Sequence, residues 1–561
     1  MKITINEKEY NVEEGITILD AAKKIGVEIP HFCHHDDLPP LGACRICVVE
    51  VDGARTLAPS CATKVAEGMK VKTHSRRVVN ARRSILDLIL SNHDMNCPTC
   101  ARNQHCNLQK LASEFAITNL KYAGEKRFDE IDESSVSFTR NPQKCILCEK
   151  CVRICRDVQQ VNCIDFKHRG FDTQIGVPYK KKIADTECTN CGQCVVNCPV
   201  GALYEKESIR DVVDAIEAGK HVIVQTAPSI RVSLGEMFGM APGTNVQGKM
   251  VAALRKIGFT KVFDTSLGAD LTIVEESTEL VNRIKNNGTL PMFTSCCPGW
   301  VKYMEHFFPE NINHFSSCKA PHMMLGAVIK SYYAEKFGIP AKDIVVVSIM
   351  PCIAKKFEAQ RDEMKGDVDF VLTTRELGRL IMQEGIDFNS LKDEEFDSAL
   401  GLGTGAGQIF GATGGVMEAA LRTAYVTQTG KPLEKLEFDQ IRGTNGIKTG
   451  TIIINGKTIR FAVASGLSNA KKIMLEKEKY DFVEIMACPG GCIGGGGQPI
   501  PTNKRIMKER MLGIYNIDKN SPLRLSHENP IIKQLYKEYF GEYGSEKAHK
   551  LLHTRFMKRG I

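Results

Sequence analysis

The chain has no apolar run long enough to cross a membrane; a span needs about 20 such residues, so none is expected. Its first residues, MKITINEKEYNVEEG, alternate apolar and polar side chains and carry acid. Neither a charged-then-apolar leader nor a twin arginine is there, which points to a cytoplasmic protein. A surplus of one charge is nearly lacking: the formal net charge is +8 on 561 residues, and metal-bound thiolates would lower it. So small a surplus points to no nucleic-acid partner, and the basic end from Lys547 to Arg559 reads as a solvated cover over the core. Low-complexity linkers are absent, and the second half shows no internal repeat.

What the chain holds in quantity is cysteine, 22 residues. A reducing compartment does not maintain disulfides, so these thiols are expected to bind metal or do redox chemistry. At 43% hydrophobic content, the chain can form several domains with at least one large core.

The stretch Phe482 to Pro499, FVEIMACPGGCIGGGGQP, reads as an apolar strand that meets Cys488 and Cys492 and then turns to glycine. A backbone wrapping closely round an inorganic core needs residues without a Cβ. MFTSCCPGW places Cys296 and Cys297 after a second strand, and IVVVSIMPC places Cys352 after a third. Ligands collect at the carboxyl ends of strands in open α/β sheets, so the three segments are expected to converge.

Residues 1–78 begin with a hairpin, Lys2 to Val12, and a short helix from Leu19 to Ile25 that Gly26 stops. Cys33, Cys44, Cys47 and Cys61 then follow a C-x10-C-x2-C-x13-C spacing. The central pair and the distant fourth cysteine suit a 2Fe-2S cluster, with zinc as the competing reading. Residues 79–136 carry a helix, Arg82 to Leu90, and the candidate ligands His93, Cys97, Cys100 and Cys106. Alone this set suits structural zinc equally well; its place between two iron-sulfur stretches favours a 4Fe-4S cluster. Residues 137–207 hold the run C-x2-C-x2-C-x3-C twice, as Cys145, Cys148, Cys151, Cys155 and as Cys188, Cys191, Cys194, Cys198. This is the two-cluster ferredoxin pattern, in which each fourth cysteine binds the other cluster. Cys198 is thus assigned with Cys145, Cys148 and Cys151, and Cys155 with Cys188, Cys191 and Cys194.

From 208 to 561 the texture is α/β with a largely parallel sheet. HVIVQTAPSI, KVFDTS, PMFTS, IVVVSIM and FVEIM read as strands, with a helix from Leu271 to Ile284 among the connections. GLGTGA, Gly401 to Ala406, fits a dinucleotide fingerprint on paper, but it follows the acidic, non-strand stretch DEEFDSAL, so the required context is missing. Electrons must therefore come from outside. The N-terminal sets use fifteen cysteines and the strand-end set four, leaving Cys163 and Cys318 as small buried hydrophobes and Cys296 beside a ligand.

TSCCPGW, MPCIAKKFE and MACPGGCIGGGGQP, in this order behind cluster domains, resemble the three signatures of FeFe hydrogenases. The resemblance covers essentially the whole chain. It implies a multidomain protein: a β-grasp 2Fe-2S ferredoxin-like domain, a small cluster domain with one histidine and three cysteine ligands, a bacterial ferredoxin-like domain with two 4Fe-4S clusters, and a large α/β domain for the H-cluster. Cys297, Cys352, Cys488 and Cys492 would hold the 4Fe-4S part of that cluster, and Cys492 would bridge to a two-iron subsite with carbon monoxide, cyanide and azadithiolate ligands. Lys355 matches the family lysine that bonds one cyanide, Pro228 and Ser229 the segment at the other, and Met350 and Met486 the methionines packed on the subsite. Pro489 and His322 stand where other members carry histidine and glutamine. Glu276 and Glu279 share a helical face with Arg283 one turn on, and the resemblance adds Ser316, giving a proton relay in the order Cys296, Glu279, Ser316, Glu276.

The family further implies reversible reduction of protons to dihydrogen, maturation proteins for the two-iron subsite, and electrons from ferredoxin or from a flavin-bearing, NAD(P)H-oxidising partner subunit. Three other readings compete. The electron-entry subunit of respiratory complex I shares the first half but would lack TSCCPGW and the two signatures after it. A cytosolic iron-sulfur assembly factor is disfavoured by Cys296, Lys355 and Met350. A hydrogen sensor would need a sensory or kinase domain, which is not seen.

Overall fold

The computed structural model describes residues 1–560, apart from the side chain of Lys180. Asn6 and Glu7 take positive φ angles of 48° and 70°, the geometry of a two-residue hairpin turn, and so join β1 (Lys2–Ile5) to β2 (Lys8–Asn11). With β3 (Val48–Val51), β4 (Ala58–Pro59) and β5 (Lys70–Lys72) they form a five-stranded sheet in the order β2-β1-β5-β3-β4. The helix Ile18–Lys24 lies on it, capped by the Thr17 hydroxyl on the Asp20 N–H. Ile3, Ile5, Ile18, Leu19, Val49 and Val71 make its core. This is the expected β-grasp arrangement, with β1 and β5 parallel at its centre.

The helix Arg76–Ser91 is longer at both ends than the sequence suggested. The next unit is clasped by β6 (Phe138–Arg140) pairing with β9 (Leu203–Glu205), while β7 (Asp165–Lys167) and β8 (Gln174–Gly176) form a small hairpin between the two cysteine runs.

The large domain departs from the expectation of one sheet. β10 (His221–Thr226), β11 (Lys261–Asp264), β13 (Ile344–Met350) and β14 (Phe370–Thr373) form a parallel sheet in the order β11-β10-β13-β14. A second sheet, β12-β17-β16-β15, unites β12 (Met292–Phe293), β15 (Ile447–Ile454), β16 (Lys457–Ser465) and β17 (Phe482–Met486). Only its β15–β16 pair is antiparallel. The central strands read as unbroken apolar runs because both faces are covered: Val222, Ile223, Val224, Val346, Val347 and Ile349 are all buried. Each such side chain contributes about 1.5–3 kcal/mol on burial.

The C-terminal segment is more than a solvated cover. One face of the helix Lys504–Asn520 buries Ile506, Met507, Met511 and Ile514, and Leu552 and His553 are buried near the chain's end. Among the described residues, no helix is long and apolar enough to cross a membrane.

Candidate metal centre

Three strands of two sheets deliver the cysteines to one place. β13 runs into Pro351 and Cys352, after which Ala354–Glu358 is helical. β12 leads to Cys296 and Cys297, and Cys297 caps the helix Pro298–Phe307, whose first residue is a proline that needs no donor there. β17 ends at Met486, and the Ala487 N–H donates to Cys297 Sγ at 3.3 Å. Cys297, Cys352, Cys488 and Cys492 then line a single cavity between the sheets, together with Pro228, Ser229, Met350, Met486, Lys355 and Cys296. Burial pushes the Cys352 thiol up to about 12 and raises Cys297, Cys488 and Cys492 as well. Four convergent soft donors whose ionisation the surroundings oppose would give up their protons to a cation, so the set fits an iron-sulfur core.

The rest of the lining fits a group with small polar ligands. Ser229 is fully buried and its hydroxyl has no hydrogen-bond partner among the described residues. Lys355 donates to the Cys296 carbonyl at 2.9 Å and to Glu358 at 2.7 Å, which leaves its third ammonium hydrogen for the cavity. Burial opposes the charges of both partners. The ion pair nevertheless raises Lys355 and, with His322, holds Glu358 down to about 2. His322 is buried, touches Glu358 at 2.6 Å and Ser348 at 3.2 Å, and is held at about 4 by burial and by Lys355. It is thus a neutral imidazole with Nε2–H toward Glu358. Gly491, at φ +89°, lies so close to Thr413 that a Cβ would stand 2.6 Å from its nitrogen. Gly496 presses on the backbone of Cys191 and Gly192. The glycine run is therefore the seam between the large domain and the second ferredoxin motif.

That seam also brings the neighbouring cluster ligands to the cavity. Cys488 Sγ lies 3.9 Å from the Cys191 carbonyl oxygen, and Gln193 Nε2 donates to Gly494 O at 2.9 Å. Farther out, Cys145, Cys148, Cys151 and Cys198 line one small cavity, while Cys194 is charge-coupled to Cys188, Cys191 and Cys155. The cavity thus groups Cys198 with the run of Cys145, Cys148 and Cys151, as the ferredoxin pattern anticipates, while Cys194 feels Cys151 as well as Cys155. Cys163 is not an isolated hydrophobe: its sulfur touches Cys155 at 3.5 Å and lies near enough to Cys188 to act on that thiol.

His93 is buried with Nδ1 lacking any partner among the described residues, and burial lowers it to about 4, so it is a neutral imidazole free to ligate. Cys97 and Cys100 share one turn, and Cys106 caps the helix Asn107–Glu114 close enough to Cys100 for their charges to interact. Cys47 donates to Cys61 at 3.4 Å, and Cys33 lies near enough to Cys44 and Cys61 for the thiols to act on one another, so the four N-terminal cysteines form one group.

The proposed relay residues come together in a different order from the one expected. Glu276 is 1% exposed, and its charge acts on Cys296; burial pushes its carboxyl up to about 8. Glu279 is the outer acid, pairing with Arg283 at 2.6 Å toward the surface. The Ser316 hydroxyl donates to Glu279 at 3.3 Å and lies near enough to Glu276 to act on its carboxyl. The order read inward is Glu279, Ser316, Glu276, Cys296, because the helix Thr265–Lys285 is buried through Ser277 and emerges only beyond it. Sequence reasoning did not find Glu358 or Ser317. The i, i+3 spacing of Lys355 and Glu358 within AKKFE was the available signal for the first.

An assembly of thiolate sets leading to an enclosed thiolate-lined cavity defines an iron-sulfur oxidoreductase. Residues 220–496 match the iron only hydrogenase large subunit, C-terminal domain, and residues 504–559 the iron hydrogenase small subunit. Ahead of these, residues 1–76 match a 2Fe-2S iron-sulfur cluster binding domain, 82–120 the NADH-ubiquinone oxidoreductase-G iron-sulfur binding region, and 144–202 a 4Fe-4S dicluster domain. The NADP-reducing hydrogenase subunit HndD of Solidesulfovibrio fructosivorans is 48% identical, over 100% of this chain and 99% of that one. Iron hydrogenase 1 of Clostridium pasteurianum is 42% identical, over 99% of this chain and 100% of its own. A solved structure of apo FeFe-hydrogenase HydA1 from Chlamydomonas reinhardtii is 44% identical, covers 63% of this chain and 99% of that one, and superposes with a TM-score of 0.57. The chain belongs to the FeFe hydrogenases. It is an iron hydrogenase with N-terminal iron-sulfur domains, catalysing the reversible reduction of protons to dihydrogen at an H-cluster.

Proposed function

We propose that Cys297, Cys352, Cys488 and Cys492 hold the 4Fe-4S part of the H-cluster, with Cys492 bridging to the two-iron subsite. The observation that carries this is their convergence in one cavity with the unpartnered Ser229 hydroxyl and the spare Lys355 hydrogen. When bound, that group supplies the redox centre at which electrons and protons combine. Lys355 and the Pro228–Ser229 turn orient its polar ligands, Met350 and Met486 pack against it, and the enclosing walls exclude water. Protons enter at Glu279 and pass through Ser316 and Glu276 to the Cys296 thiol, which can carry a proton where an alanine cannot.

The accessory inventory is one 2Fe-2S cluster at Cys33, Cys44, Cys47 and Cys61, a His-ligated 4Fe-4S cluster at His93, Cys97, Cys100 and Cys106, and two 4Fe-4S clusters at the ferredoxin runs. Boundaries near residues 78, 136 and 207 separate their domains from the catalytic one. Electrons arrive from a flavin-bearing, NAD(P)H-oxidising partner subunit, a reading favoured over ferredoxin alone by the likeness to an NADP-reducing hydrogenase subunit. Family maturation proteins install the two-iron subsite. A cytoplasmic setting accords with a chain of 22 cysteines, most of them assigned here to metal, since a reducing compartment does not maintain disulfides.

The test of the relay is the pair Cys296→Ala and Glu279→Gln. Removing a positioned acid or base costs about 10²- to 10⁴-fold in rate. Both variants should lose hydrogen turnover in both directions on that scale while every cluster stays visible by paramagnetic resonance. Near-normal turnover in Cys296→Ala would make that thiol packing material.

A further inference from the structure

Cys163 belongs to neither ferredoxin run, yet its sulfur lies 3.5 Å from that of Cys155 and near enough to Cys188 to act on that thiol. Cys155, Cys163 and Cys188 are all buried. Cys155 and Cys188 come from different runs, and both belong to the proposed cluster that Cys191 and Cys194 complete. A fifth sulfur therefore stands inside a four-thiol set.

The spacing fixes its place within that set. Two sulfurs about 2.3 Å from one tetrahedral metal lie about 3.8 Å apart. Thiolates on different irons of a four-iron cluster lie farther apart, because a sulfide-bridged pair of irons separates them. Cys47 and Cys61, at 3.4 Å, show the shorter spacing in the N-terminal set, where four cysteines would serve two irons. At 3.5 Å, Cys155 and Cys163 thus fill one ligand position twice rather than two positions once.

The backbone is folded to bring this about. Cys155 lies in the π-helical turn Ile154–Val158, a widened form frequent at functional sites. The chain then doubles back: Val161 N donates to Cys155 O at 3.0 Å, and Gln160 and Asn162 take positive φ angles of 50° and 57°. Such angles are uncommon in residues with a side chain and persist only where the surroundings enforce them. A small hydrophobe at position 163 would not call for that return, whereas a sulfur delivered to the sulfur of Cys155 does.

We infer that Cys163 is a reserve ligand of the 4Fe-4S cluster of Cys155, Cys188, Cys191 and Cys194, taking over the iron position of Cys155 when that thiolate leaves. The exchange breaks one iron–sulfur bond and forms another without change of oxidation state, and the Cys163 proton passes to the departing Cys155 sulfur. This role rests on the assignment of Cys155 to that cluster.

The experiment uses the matured full chain and reads iron and sulfide content together with paramagnetic resonance of the reduced protein. Cys163→Ala should keep the iron and the signals of wild type. Cys155→Ala should keep the wild-type iron content with the signals of one cluster shifted, and the double variant should lose at least one iron per chain. Iron lost from Cys155→Ala to the same extent as from the double variant overturns the reserve ligand and leaves Cys155 a ligand. A double variant with full iron and wild-type signals overturns instead the assignment of Cys155 to a cluster, and the proposal with it. Should Cys155→Ala fail to fold, Cys163→Ala and wild type are compared during oxidation by ferricyanide. Cys163→Ala should then release iron several times faster, and equal rates overturn the proposal.

Discussion

Lys355 carries three hydrogens and directs two of them to fixed acceptors, the Cys296 carbonyl and Glu358. Its aim into the cavity is therefore set by Glu358, which His322 holds from the other side at 2.6 Å. Removing one partner of a buried pair leaves an uncompensated charge and costs about 3–5 kcal/mol. Glu358→Ala should accordingly lower both thermal stability and the yield of active enzyme, whereas Glu358→Gln keeps a hydrogen-bond acceptor and should retain more of each; thermal unfolding and hydrogen evolution on matched samples check this.

Glu276 offers a pH test. Burial raises its carboxyl to about 8 from an ordinary value near 4.3, so between those values the folded protein binds more protons than the unfolded chain. Stability contributed by the neutral acid is then complete below about 4 and is lost as pH rises toward 8. Glu276→Gln, which cannot ionise, should escape that loss. Its stability relative to wild type should rise by more than about 1 kcal/mol between pH 5 and pH 8. A gap that stays flat across this range would mean Glu276 is ionised throughout. The identities of these two acids were legible from their helical spacing, but their order was not. Burial along the helix Thr265–Lys285 depends on what packs over it, including Ser316 and the C-terminal segment.

At the scale of elements, the candidate ligand cysteines could be picked out because the chemistry proposed for them fixes residue type and spacing together. The partition of strands between two sheets was not, since β13 and β17 are equally apolar and nothing local says which neighbour each will pair with. The β15–β16 hairpin did carry a signal. Asn455 and Gly456, at φ 49° and 77°, are the preferred residues of a two-residue turn between strands. The glycine seam is a stricter element. Gly491→Ala would place a Cβ 2.6 Å from Thr413 N in a backbone conformation that side chains rarely adopt, a strain of about 1–3 kcal/mol. Matured Gly491→Ala should lose iron from the large domain and melt earlier while the N-terminal clusters keep their paramagnetic signals. Full iron content with unchanged melting would show that the seam yields easily.

For the whole molecule, the cluster domains are joined to the catalytic domain by more than a linker. Arg375 forks onto Glu205 of β9 at 2.7 Å and also donates to Gly496 O and Gln498 O, so one buried guanidinium ties the ferredoxin unit to the glycine seam. Burial works against the Glu205 charge, yet Arg375 and Arg379 hold its carboxyl well below the usual range. This junction keeps Cys191 beside Cys488, which would set the proposed accessory cluster next to the catalytic centre. The domain order was legible from cysteine spacing alone; the clamp was not, because its partners lie 170 residues apart.

The central claim is that hydrogen chemistry depends on a two-iron group hung from Cys492. The most direct measurement is hydrogen evolution from reduced methyl viologen by the full chain produced with the family's maturation proteins, set beside Cys492→Ala made identically. Wild type should evolve and consume hydrogen, and the variant should do neither while its accessory clusters remain detectable. Turnover that survives loss of Cys492, or a fully iron-loaded wild type that neither makes nor consumes hydrogen, would contradict the account.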